Sequence, residues 1–386
     1  MDALVQSAQN YAASASAALA ALARVMPRSM TVAKYLAVLL ALANLRSAPF
    51  AWHTRVWWPV IVLQARFQLF RLSILLKSKK EKREAIHRWV EALAPVGSNP
   101  FTRQYVYKSW ADFSDSDYNM HLSNSSYPKN LDCARMRSAL DYFPGYMTAG
   151  GGIALAATHF QFLKEIPILS SYEIRMSLVA WDQKWIFLIA RYVTHPAKKL
   201  KKSRPAERGH PTDGAPIPDI STPASGVDTP APGSATPMPG NDGPETAAMK
   251  SVTANVPQVE ADGAVVNCIC VNQLVFKHGR ITVPPSLVLA YDGFCMPSGS
   301  TVFEEKFSPA NPPPHWKHVQ ELRRKGLKAE REFLRGGWKL VPEGERWWEQ
   351  ALEGSEELRK VNLDRVKGVR EGIEGARVIA TDLFSL

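Results

Sequence analysis

Between Phe101 and Val283 the apolar positions change period several times, and each change marks an element. From Gln104 to Phe113 the residues alternate. Tyr105, Tyr107, Ser109 and Ala111 fall on one side and Val106, Lys108, Trp110 and Asp112 on the other, which predicts a strand. After Tyr127 the period lengthens: Leu131, Ala134, Ser138 and Tyr142 recur at helical spacing, with Lys129, Asp132, Arg137 and Asp141 mostly elsewhere. Gly145 to Gly152 reads as a loop, and strands then arrive in series. Ile153 to Glu165 alternates with a phase shift near Thr158 to Phe160, as at a bulge. Ser171 to Trp181 alternates cleanly, Asp182 to Lys184 turns, and Trp185 to Thr194 returns apolar on both sides, as a central strand does. Ala264 to Phe276 resumes the pattern, and Ile281 to Val283 ends it after a turn at Lys277 to Arg280. One helix followed by about five strands predicts an α+β fold in which a mostly antiparallel sheet curls round that helix.

The flanks follow other patterns. Ala197 to Gly263 opens with Lys198, Lys199, Lys201, Lys202 and Arg204 and continues in Pro, Ser, Thr, Ala and Gly. It has too few large apolar groups to offset its ordering entropy, so a disordered insertion is predicted over 197–263, between the two parts of the sheet domain at 100–196 and 264–300. Met1 to Met30 is rich in Ala and Ser, with Arg24 and Arg28, and reads as a transit-like or a disordered lead. Residues 31–90 are apolar and then basic. Neither Tyr35 to Leu45 nor Val56 to Gln64 reaches the roughly 20 apolar residues that span a bilayer. Arg46, Arg55, Arg66 and Arg71, interleaved with Trp52, Trp57 and Trp58, suit a water–lipid boundary instead. Lys77, Lys79, Lys80, Lys82 and Arg83 would draw anionic headgroups on the cytosolic side. The expectation is an N-terminal helical region that lies on or re-enters a membrane, at the cytosolic face of an endomembrane or at a mitochondrion. A helical hairpin packed on the core is the alternative. Ala92 to Pro100 reads as a linker, and residues 315–380 as amphipathic helices that pack on the domain or on a partner subunit.

Composition narrows the chemistry. With 386 residues, 46% of them hydrophobic, the chain can build one core domain with sizeable appendages. Its net charge of +11 suits an acidic partner, and no nucleic-acid motif accompanies it, so anionic lipid or the phosphates of a CoA carrier are the expected partners and nucleic acid is not. Cys133, Cys268, Cys270 and Cys295 form neither a CxxC pair nor a metal-ligand array, and no metal or cofactor is expected. Cys268 and Cys270 point the same way on a strand, as core residues do, and nothing suggests a disulfide scaffold.

The candidate chemistry sits where the first strand hands over to the helix, in Asp112 to Tyr127. The first helical turn leaves N–H groups unpartnered and carries the positive end of the macrodipole, so a polarised oxygen is welcome there. Asn124, Ser125 or Ser126 can cap the helix, and Pro128 is tolerated in its first turn. A thioester carbonyl held there would be polarised, with Asp117 upstream to attack it or to deprotonate a water. The plainer readings are turn chemistry for Asp115 and Asp117, a structural role for His121, a cap for Asn124, an i,i+3 pair for Asp132 and Arg135, and an ordinary strand position for His159.

The run Asp115-x-Asp117-x-x-x-His121-x-x-Asn124-x-x-Tyr127, with Asp132, Ala134 and Arg135 after it, resembles the signature of hotdog-fold acyl-CoA thioesterases of the 4-hydroxybenzoyl-CoA thioesterase type. It is most similar to the membrane-anchored branch of thioesterase superfamily member 6 and its fungal thioesterase-like relatives. The resemblance covers roughly Phe101 to Val288. It implies a hotdog domain, hydrolysis of an acyl-CoA or related thioester, and a homodimer. It also implies Asp117 as the catalytic carboxylate, with His121, Asn124 and Tyr127 against the substrate. Asp115 and His159 are further candidates. Some members use a helix-borne Glu, and the helix here has none between Tyr127 and Phe143. One position departs from the pattern: members place Gly just before the histidine, and this chain has Met120. That departure motivates a competing expectation, a membrane-anchored hotdog protein that binds acyl groups or protein partners without turnover.

Overall fold

The computed structural model describes residues 14, 16, 30–196, 259–299 and 306–384. Most of the expected lead at 1–30 and most of the expected insertion at 197–263 lie outside the described residues.

The strands are β1 (Gln104–Trp110), β2 (Gly152–Phe162), β3 (Ser171–Trp181), β4 (Trp185–Thr194), β5 (Val265–His278) and β6 (Ile281–Val283). They form one antiparallel sheet in the order β1-β3-β4-β5-β2, with β6 paired to β5. β4 lies between β3 and β5, which is why its residues are apolar on both sides. Across the concave face runs α3 (Ser126–Tyr142), which follows a helical stretch over 30–43, α1 (Ala51–Ser73) and α2 (Lys79–Glu91). Leu131, Ala134, Ser138 and Tyr142 of α3 are all buried, the stripe that the helical spacing predicts. The Tyr142 hydroxyl donates to Met176 O on β3, at 2.9 Å, and the Arg135 guanidinium donates to the buried Asn272 Oδ1 on β5, at 2.8 and 3.0 Å. Helix and sheet are thus tied at the middle and at the C-terminal end of α3. This is the hotdog arrangement.

The bulge in β2 falls between Leu155 and Ala157, earlier than the phase shift near Thr158 suggested. Its effect is a change of parity. Ile153 packs toward the core before the bulge and Phe160 after it, so even-numbered residues face α3 from there on.

Helix α1 docks on the first turn of α3: Trp52 Nε1 donates to Lys129 O at 3.2 Å and Arg55 to Asn130 Oδ1 at 2.6 Å. Its other side keeps Trp57, Trp58, Leu69 and Leu72 exposed. Among the described residues no helix is long and apolar enough to cross a membrane. Helix α2 starts on a capping box, Ser78 with Glu81. The presumed linker 92–100 is packed rather than solvated: Ala94 and Val96 are buried and Gly97 N donates to Gly293 O at 2.8 Å. That close backbone approach needs glycine at 97, where φ is 83° and a Cβ would meet the Phe307 backbone at 2.5 Å.

Helix α4 (Pro144–Thr148) follows α3, and α5 (Pro285–Tyr291), a buried helix that strand periodicity did not reveal, follows β6. Then come α6 (Trp316–Lys325), α7 (Leu327–Leu334), α8 (Trp347–Gln350) and α9 (Glu356–Phe384). Helix α9 lies on the outer face of β3, where Arg359 donates to Trp181 O at 2.6 Å and Asn362 to Val179 O at 2.9 Å. All four cysteines are free thiols and buried, Cys268 and Cys270 within the core.

Candidate active site

Between β1 and α3 the chain makes a small hairpin. Ser123 N donates to Asp115 O at 2.9 Å, Asp117 N to His121 O at 2.8 Å and Met120 N to Asp117 O at 3.1 Å. This closure is a type I turn followed by one left-handed residue, the form that usually takes glycine in that last place. Met120 occupies it, with φ 62° and an exposed side chain. A Cβ in this conformation costs ~1–2 kcal/mol, but the hairpin keeps its shape. The glycine of the resembled signature and Met120 therefore answer one backbone demand.

Two buried carboxylates hold the hairpin from below. Asp112 accepts from Asp115 N and Ser114 Oγ, each at 2.8 Å, and pairs with Arg46 at 2.9 Å. Asp115 accepts from Lys129 Nζ at 2.8 Å and from Asn130 Nδ2 at 3.1 Å. Burial alone would raise the Asp115 pKa, but the hydrogen bonds from Lys129 and Asn130 outweigh it and hold the group below its ordinary value. Asp115 is thus a fixed charge that ties hairpin to helix.

Asp117 is half-buried at the hairpin's neck. Its Oδ1 accepts from the N–H groups of Asn119, at 2.9 Å, and His121, at 3.3 Å, which orients the carboxylate. His121 Nε2 lies 3.3 Å from Glu165 Oε2, and its Nδ1 is buried without a partner among the described residues. Glu165 carries no periodic signal. It reaches His121 because Leu122 N donates to Ile166 O and Ile168 N to Met120 O, both at 2.8 Å.

The N-cap of α3 is Ser125, and no side chain caps the helix; Ser125 Oγ instead meets Ser123 Oγ at 3.0 Å. Asn124 is exposed beside this open helix start. Tyr127 is a core residue, its ring 5.0 Å from Phe162 and 4.8 Å from Tyr192. Burial, with smaller contributions from neighbours that include Cys268, Tyr172, Glu165 and Asp117, raises its phenol pKa, so the hydroxyl stays protonated. His159 does not join the group. The bulge gives the inward place to Thr158, which accepts from Arg135 at 3.2 Å, and leaves His159 exposed on the outer face beside Val366 and Arg370. Asp132 and Arg135 form the expected i,i+3 pair at 2.6 Å, while Arg135 also spans to the sheet.

A cleft of about 690 Å³ adjoins the hairpin on the Glu165 side, with Lys108, Lys164 and the edge of Tyr172 along it. Among the described residues no group of three His, Cys, Asp or Glu side chains is placed to hold a metal ion. The arrangement offers an oriented carboxylate, an imidazole beside a second carboxylate, and the positive end of a helix.

Fold and site define a hotdog domain with a carboxylate-bearing loop ahead of its central helix. Residues 111–208 match the model of the Thioesterase-like superfamily. The probable thioesterase atnL of Emericella nidulans is 26% identical over 250 residues, covering 59% of this chain and 66% of its own. A probable thioesterase of Saccharomyces cerevisiae, YBR096W, is 25% identical over 167 residues, 42% of this chain and 66% of its own. Protein THEM6 of Drosophila melanogaster is 29% identical over 76 residues, 19% of this chain and 39% of its own. The chain thus spans less than two thirds of the length of these relatives. Among solved structures, the 4-hydroxybenzoyl CoA thioesterase of Pseudomonas sp. strain CBS-3 aligns over 49% of this chain and 99% of its own, at 10% identity and a TM-score of 0.28.

Proposed function

We propose that this chain hydrolyses a thioester of the acyl-CoA kind and that Asp117 is the carboxylate that acts on it. The observation that carries the reading is the placement of Asp117, oriented by two N–H donors on a hairpin pinned to the start of α3, which no side chain caps. In the proposed reaction Asp117 takes a proton from a water whose oxygen bonds to the carbonyl carbon. The carbonyl oxygen gathers negative charge near the helix start, the C–S bond breaks, and the proton passes to the departing thiolate. Direct attack by Asp117, giving an anhydride that water then splits, uses the same placement. Lys164, beside Glu165, and Lys108, which pairs with Glu173 at 3.4 Å, are the cations that a phosphate-bearing carrier would meet along the adjoining cleft. The non-catalytic alternative was motivated by Met120; because Met120 keeps the left-handed backbone, hydrolysis is the reading we retain.

The test is hydrolysis of an acyl-CoA panel of graded chain length by the full chain and by Asp117→Asn. A loss of about 10²–10⁴-fold is expected, and equal rates would remove Asp117 from the mechanism.

The proposal extends to setting. Leu36, Leu40, Trp57, Leu72 and Leu76 are exposed in the N-terminal region, next to Lys77, Lys79 and Lys80, which suits an anionic lipid surface on the cytosolic side of an endomembrane or mitochondrion. Co-sedimentation with anionic vesicles should weaken in a Leu72→Glu, Leu76→Glu double variant. The strand β2 pairs only with β5, so its other edge is open to a second copy, and a dimer mass in light scattering is expected.

A further inference from the structure

A second, more apolar space lies away from the Asp117 hairpin. Helices α1 and α2 lean over the C-terminal half of α3 and enclose, with α6 and α7, a cavity of about 660 Å³, a size typical of small-ligand sites. Phe67 and Val90 line it from the N-terminal helices and Met136 and Leu140 from α3. Leu140 lies thirteen residues beyond Tyr127, roughly 20 Å along the helix at 1.5 Å per residue, so this space is separate from the proposed hydrolytic site.

Two arginines border it, the exposed Arg83, which donates to Arg324 O, and a buried one. Arg323 of α6 lines the cavity yet is only 2% exposed. Its guanidinium lies 4.9 Å from the ring centre of Trp316 and 5.2 Å from that of Tyr291, and Nη2 donates to Tyr291 O at 3.4 Å. Nε and Nη1 are buried with no hydrogen-bond partner among the described residues. No hydrogen bond joins them to the nearby Asp292, whose carboxyl accepts from Gly145 N at 2.6 Å and Tyr146 N at 3.2 Å. Burial drives the Asp292 pKa up to about 7 in spite of Arg323, so even its charge is only partly present at neutral pH. Buried guanidinium donors without acceptors are unfavourable, and an apolar slot beside them says what kind of molecule would supply the acceptors. The molecule needs an anionic head and an alkyl body.

We propose that this cavity binds a long-chain fatty carboxylate, with its head taking up the donors that Arg323 leaves open and its alkyl chain between α1, α2 and α3. A singly charged head is favoured over a phosphate because Glu330 also lines the cavity, its Oε2 accepting from the Tyr291 hydroxyl, and a second negative charge on the ligand would meet it.

The experiment is calorimetric titration of the full chain with palmitate below its micelle concentration, with methyl palmitate and hexadecyl phosphate as comparators. The expected result is saturable palmitate binding that weakens at least tenfold in Arg323→Gln and is lost in Val90→Trp, which fills the slot while leaving Arg323 in place. Methyl palmitate should bind at least tenfold more weakly. Absence of palmitate binding, equal affinity for the ester, tighter binding of hexadecyl phosphate, or unchanged binding in folded Val90→Trp would each overturn the proposal. The last outcome would assign any bound palmitate to another site. Asp117→Asn hydrolysis is measured separately, so failure of one proposal does not decide the other.

Discussion

Replacing Met120 with glycine should stabilise the protein. Met120 holds φ 62° to close the hairpin between Asp117 and His121, and a side chain in that region costs ~1–2 kcal/mol. Glycine removes the strain but frees the unfolded chain, which returns ~0.5–1 kcal/mol. Little apolar burial is lost, because the Met120 side chain is 56% exposed. The balance is a gain of about 0.5–1 kcal/mol. In urea unfolding of the full chain, with a slope near 3 kcal/mol/M, the midpoint should rise by roughly 0.2–0.3 M at unchanged slope. A lower midpoint would mean that the methionine side chain contributes contacts worth more than its backbone strain. The argument that Met120 stands in for glycine would then fail.

Two further perturbations probe the buried carboxylates. Lys129→Met leaves Asp115, 0% exposed, with only Asn130 as a side-chain donor; a loss of about 2–3 kcal/mol is expected, toward the lower end for buried pairs because Lys129 is partly exposed. Since Asp115 is held below its ordinary pKa, its contribution is present at neutral pH and is lost as pH falls through the folded value, so the variant's urea midpoint should depend less on acidification than the wild type's. Asp292 has the opposite sign. Its carboxyl titrates near 3.8 when unfolded and about 7 when folded, so the folded state holds the extra proton between those values and stability falls as pH rises through that window. Asp292→Asn keeps an acceptor for Gly145 and Tyr146 and should remove this decline, read as equal urea midpoints at pH 5 and pH 7.5 for this group's part of the profile.

Much of this protein was legible in the chain itself, because the signals concerned are local. Alternation of side chains fixes which residues of β1, β3 and β4 share a face, and helical spacing fixes the buried stripe Leu131, Ala134, Ser138 and Tyr142. The Asp112 to Tyr127 stretch was visible as a strand-to-helix junction dense in carboxylates. Tertiary structure decided what depends on residues far apart. A single bulged residue, Ala156, exchanged Thr158 for His159 on the inner face. Pairing of residues 120–122 with 166–168 brought Glu165 to His121, and the backbone of Gly293 turned an apparent linker into core. Which of Asp112, Asp115 and Asp117 is buried and paired, and which stays available, was likewise settled by Arg46 and Lys129 arriving from other elements. Periodicity reports a residue's side; only the assembled fold supplies the partner that satisfies its charge or its hydrogen bonds.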